Sequence, residues 1–61
     1  MTKRKMMMNL ITELGHEDNI TIAFCNYAES NTLEETREAY ARAQKLIELR
    51  ARNDYYSAIT E

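Results

Sequence analysis

The sequence predicts an all-α fold, a compact three-helix unit whose last helix is long, and three observations carry the prediction. The 61 residues include one glycine and no proline, and these are the residues that turn-rich sheets rely on to reverse the chain. Apolar residues recur at spacings of three and four in each third of the chain, the period of a helix face. Thr32-Leu33-Glu34-Glu35 reads as a capping box. There the Thr32 hydroxyl accepts the Glu35 N–H, and the Glu35 carboxylate reaches back to the Thr32 N–H.

Met7, Leu10, Ile11 and Leu14 fall at i, i+3, i+4 and i+7 and define the apolar face of a first helix, about residues 2–14. Gly15 follows, where a left-handed residue would terminate it. Lys3, Arg4 and Lys5 occupy its first turn, the end at which the helix dipole disfavours cations. Met7 is expected in the core, with its neighbours Met6 and Met8 as partly exposed filler. An exposed Met6 would point to a partner, since methionine re-packs against varied surfaces.

Residues 18–29 are expected to form the second helix, with Asp18 or Asn19 as N-cap. Ile20, Ala23, Phe24, Tyr27 and Ala28 match a helical stripe, whereas a strand explains only Ile20, Ile22 and Phe24. The alternative fold is α+β, with residues 20–24 paired to residues 55–59 as two short strands. Ser30-Asn31 links into the third helix, about residues 32–52. Its stripe is Leu33, Thr36, Tyr40, Ala43, Ile47 and Ala51, widened by Ala39 and Leu46. Glu38 with Arg42 and Glu48 with Arg52 are i, i+4 pairs in the favourable order. Asp54 would fall on the apolar side, so Arg52-Asn53-Asp54 is expected to break the helix and leave a short C-terminal turn.

Residues 1–61 therefore read as a single small helical domain. Chains of this length bury only ~60% of their unfolded surface, and small domains compensate with disulfides, metals or partners. Cys25 is the only cysteine and His16 the only histidine, so an internal disulfide is excluded and no metal or other cofactor is expected. A homo-oligomer or a protein partner remains. The partner interface is expected at Leu46, Leu49, Tyr55, Tyr56 and Ile59, because the long helix outruns what its neighbours can cover. Adjacent Tyr55 and Tyr56 cannot both face one core.

No constellation of catalytic type stands out. His16 with Glu17 and Asp18 suits the end of one helix dipole and the start of the next. Cys25 has no cation nearby in sequence to activate it. The chain is expected to be a non-enzymatic, cytoplasmic interaction protein: a regulator, adaptor or inhibitor, of the size common among phage and mobile-element proteins. The alternative is a dimeric nucleic-acid-binding regulator using Lys3, Arg4, Lys5, Arg42, Lys45 and Arg52. Net charge is −2, and Glu34, Glu38 and Glu48 on the same side oppose that reading. Membrane binding is not expected, because apolar runs are far short of ~18 residues. Secretion is not expected either, for want of a cleavage site after Met8.

Overall fold

The structure is a computed structural model that describes the backbone of residues 1–60 and the side chains of residues 1–53. It contains three helices, α1 (Lys3–Leu14), α2 (Asn19–Ser30) and α3 (Leu33–Thr60), each in contact with the other two. No strand occurs among the described residues, so the alternative pairing of 20–24 with 55–59 is overturned. Burial shows why. Phe24 is buried and Ile20 packs against the core, but Ile22 is 46% exposed. A strand would have put all three on one side. The buried set on α2 is Thr21, Phe24 and Ala28, which follows helical spacing.

The apolar face of α1 is rotated by one residue from the sequence expectation. Met6 and Leu10 are buried, while Met7 and Leu14 only flank the core. The reason lies in Lys3. Its ammonium donates to the carbonyls of Ala28, at 2.9 Å, and Asn31, and Met6 and Leu10 follow it at i+3 and i+7. A cation at the wrong end of its own helix dipole thus sits at the right end of its neighbour's. Asn31 Nδ2 donates to the Tyr27 carbonyl at 2.8 Å and serves the same α2 terminus.

Helix starts follow the sequence closely. The Thr2 hydroxyl accepts the Lys5 N–H, and Asp18 Oδ1 accepts the Ile20 N–H at 2.9 Å as the N-cap of α2. The capping box of α3 forms in both directions: Glu35 N–H to Thr32 Oγ1 at 3.2 Å, and Thr32 N–H to Glu35 Oε1 at 3.0 Å. Gly15 differs in detail from its expected left-handed role. Its φ of 95° is positive as anticipated, but ψ is 163°, an extended mirror-image conformation rather than a helical one. The chain leaves α1 sharply and reaches Asp18 within three residues.

The core is small: Met6, Leu10, Phe24, Ala28 and Ala43, with Thr21 and Thr36 also buried. Phe24 and Tyr40 pack as tilted rings 5.8 Å apart, and the Tyr40 hydroxyl accepts from Asn9 Nδ2 at 3.2 Å. The two threonines differ. Thr36 donates to the Thr32 carbonyl at 2.7 Å, whereas Thr21 Oγ1 is buried with no hydrogen-bond partner. A buried unpaired hydroxyl costs ~1–3 kcal/mol, so Thr21→Val, which keeps the shape and removes that group, is expected to stabilise by ~1 kcal/mol. Thr36→Val breaks a made bond and should not. Urea midpoints of the two variants against the parent chain measure the contrast, and a loss of stability in Thr21→Val would contradict it.

The break expected at Arg52-Asn53-Asp54 is absent, because α3 runs through it to Thr60. Its 28 residues span ~42 Å, matching the longest dimension of the molecule, 43 Å. At 12 residues each, α1 and α2 reach ~18 Å. The stripe on α3 fails where its neighbours end. Helix propensity continues without them, since no glycine or proline interrupts the segment.

Candidate functional site

On α2, Ile20, Ala23 and Tyr27 form a row at helical spacing beside the buried row of Thr21, Phe24 and Ala28. On α3, Ala39, Arg42, Leu46 and Leu49 lie beside the buried positions Thr36 and Ala43. Alanines at 23, 39 and 43 leave space where larger side chains would close it. The result is a groove of about 290 Å³ between α2 and α3, with Ile20, Phe24, Tyr27 and Leu46 among its walls. A second hollow of about 550 Å³ continues it past Leu49, Arg50 and Asn53. Ile20 and Leu46 belong to both. Leu46 is 53% and Leu49 44% exposed.

Arg50 stands at the seam. Its guanidinium holds Asp18 in a two-pronged ion pair at 2.7 and 3.3 Å, joining the start of α2 to α3. Asp18 is therefore both cap and ion-pair partner. The Arg50 hydrogen bond first, and the Ile20 N–H second, hold its carboxyl below the usual carboxylate range. Glu35 is lowered in the same direction by the Thr32 backbone and hydroxyl. Carboxylates with depressed folded pKa values stabilise above their unfolded values and lose that contribution as pH falls. Stability is expected to hold from neutral pH to ~5 and to decline from about pH 4.5 downward. Urea unfolding at pH 7, 4 and 3 checks this. A combined Asp18→Asn and Glu35→Gln chain should show a flatter acid limb, and an unchanged limb would refute the assignment.

Of the expected interface residues, Leu46 and Leu49 stand together on this face, while the side chains of Tyr55, Tyr56 and Ile59 lie outside the described residues. Ile20 and Tyr27 also line the face; the sequence placed them in the helical stripe of α2 and did not name them as interface. The five-position apolar stripe of α2 is wider than one packing contact needs, and that width was the available signal.

The basic residues are not gathered into one patch. Lys3 is held by the end of α2, beside the start of α3. Along α3 from Leu33, Arg42 lies ~14 Å and Arg52 ~29 Å away. Arg4 and Lys5 are exposed beside Thr2 and Met8. Arg42 borders the groove, and Lys45 and Arg52 are exposed. Met6, expected to be partly exposed filler, is 1% exposed, and Met8 is the outward methionine.

His16 and Glu17 are exposed in the α1–α2 turn. Cys25 is half-buried, and burial first, then the Glu29 charge, push its thiol pKa up. That environment disfavours the thiolate required of a nucleophile. Among the described residues no group of histidine, cysteine and carboxylate side chains is placed to hold a metal ion. No helix among them is long and apolar enough to cross a membrane. Comparison with protein-family models, with curated proteins and with solved structures gives no match for this chain.

Proposed function

We propose that this chain is a small non-enzymatic protein acting through protein–protein contacts, with the α2–α3 face as its docking surface. The observation that carries the reading is the exposure of Leu46 and Leu49 beside Ile20, over two hollows that share Ile20 and Leu46, the first walled mainly by apolar side chains and the second also by Arg50 and Asn53. Apolar side chains grouped around a hollow are a common mark of interaction sites. A partner, either a second copy or another protein, would place apolar groups between Ile20 and Leu46, with a carboxylate able to meet Arg42 at the rim. Occlusion of that partner's surface by α3 would make the chain a regulator, adaptor or inhibitor, as in small phage or mobile-element proteins. The lone thiol suits a reducing cytoplasm.

A double substitution, Leu46→Glu with Leu49→Glu, tests the reading without touching the buried core. Affinity capture from the native host should recover a defined partner, or the chain itself, with the parent chain and lose it with the variant. Identical capture by both would count against the α2–α3 face. The nucleic-acid reading draws on Arg42, Lys45 and Arg52, and salt-dependent DNA or RNA binding at low ionic strength would support it instead.

A further inference from the structure

We infer that the occupant of the α2–α3 groove is an amphipathic helix of another protein, seated as a fourth helix against α2 and α3 with carboxylates along its α3 side. The inference rests on the interaction reading above and adds the partner's form and charge.

The form follows from the register of the groove. On α2, Ile20, Ala23 and Tyr27 line it, and each precedes by one position a buried residue, Thr21, Phe24 or Ala28. On α3, Arg42 precedes the buried Ala43, while Ala39 and Leu46 precede Tyr40 and Ile47, which pack against the core. One residue is about 100° of helix rotation. Each helix therefore carries two rows at helical spacing, a core row packed with Met6 and Leu10 of α1 and a second row turned away from it. Two such faces belong to a helix with neighbours on two sides, the arrangement of a four-helix bundle. α1 fills one position beside the α2–α3 pair, and the groove is the other. Rows that repeat every three or four residues interlock with the ridges of another helix. The alanines at 23, 39 and 43 admit its backbone at close range. From Ala39 to Asn53 the two hollows follow ~21 Å of α3, room for about four turns.

The charge follows from the two walls. α2 has no charged residue from Asn19 to Ala28. On α3, Arg42 borders the groove and Lys45 follows it, both exposed. Among the described residues the one ion pair joins Arg50 to Asp18, so Glu38, one turn before Arg42, leaves it unmatched. A helix seated here meets an uncharged wall on one side and a cationic wall on the other. Carboxylates along the second side complement it. The apolar exposure of α3 does not supply them, because Leu46 and Leu49 stand among Arg42, Lys45 and Arg52. A second copy docked by those leucines brings cation to cation.

Two displayed libraries of ~16-residue peptides, selected against the full chain, are the test. One places leucines three and four apart, the other places them at alternate positions, and both randomise the remainder. Binders are expected from the first library, with Asp or Glu enriched along one flank of the leucine stripe. Arg42→Glu plus Lys45→Glu should weaken them about tenfold, and Lys in place of their acidic residues should restore binding to that variant. Leu46→Glu plus Leu49→Glu should abolish binding at unchanged helical circular dichroism. Binders from the alternating library, or binders indifferent to the charge reversal, overturn the inference. If the leucine variant still abolishes their binding, the interaction reading stands. Sedimentation of the chain alone covers the other occupant: a dimer dissociated by the leucine variant assigns the groove to a second copy, against the inference and in keeping with the interaction reading. A monomer throughout, with no binder sensitive to the leucine variant, ends both.

Discussion

Phe24→Ala is expected to leave the chain without a cooperative fold. Phe24 is 4% exposed and is the largest side chain in a core of five apolar residues. Its ring packs against Tyr40, so truncation removes both the buried area and the contact that ties α2 to α3. Deleting a buried phenylalanine costs ~3–5 kcal/mol, and a single core in so short a chain rarely supplies more than ~3–5 kcal/mol. The two magnitudes meet, and the folded state should lose its majority at 25 °C. Thermal circular dichroism reads this as a shallow, non-sigmoidal melt with much reduced helicity. Ile22→Ala, at an exposed position two residues away, should change stability by no more than ~0.5 kcal/mol. A Phe24→Ala chain melting cooperatively within a few degrees of the parent would show that the core lies elsewhere.

Gly15→Ala is expected to destabilise by ~1–3 kcal/mol, and the cause is backbone conformation rather than crowding. A Cβ built at Gly15 meets nothing within 4 Å, but φ of 95° with ψ of 163° lies in a region that residues with a side chain rarely enter. Alanine also removes unfolded-state entropy, a gain of ~0.4–1 kcal/mol, which is too small to offset the strain. Asparagine provides the sharper test. It tolerates the left-handed helical region, so a conventional helix-terminating glycine could be replaced by it at small cost. At the observed ψ it should be nearly as damaging as alanine. Urea midpoints of Gly15→Ala and Gly15→Asn measure the difference, and a neutral asparagine variant would mean that the turn has the left-handed form read from the sequence.

How legible the structure was depended on the range of each interaction. Thr32–Glu35 and Asp18 were readable because a cap involves backbone and side chain within three residues. The helical nature of 20–28 was readable because its apolar positions outnumber those of a strand. The rotation of α1 was not readable. Met6 and Met7 are equivalent by composition, and the choice between them follows from Lys3 reaching carbonyls 25 and 28 residues away. The α2–α3 face was legible in part. Leu46 and Leu49 followed from the surplus length of the last helix, but that Ile20 and Tyr27 share a groove with Leu46 was visible only once the path of α3 across α2 was known. The failure of the apolar stripe at Asp54 was misread as a helix end, because such a stripe carries information about packing and none about the hydrogen bonds along the helix, which continues to Thr60.

By itself, then, the sequence determined that this chain is three helices with defined starts, since propensity and capping act over one or two turns. Tertiary structure alone decided which residue of each wide stripe is buried, how far α3 outruns its neighbours and where the α2–α3 groove opens. Those outcomes depend on the distance to side chains far away in the chain, and periodicity carries no information about that distance.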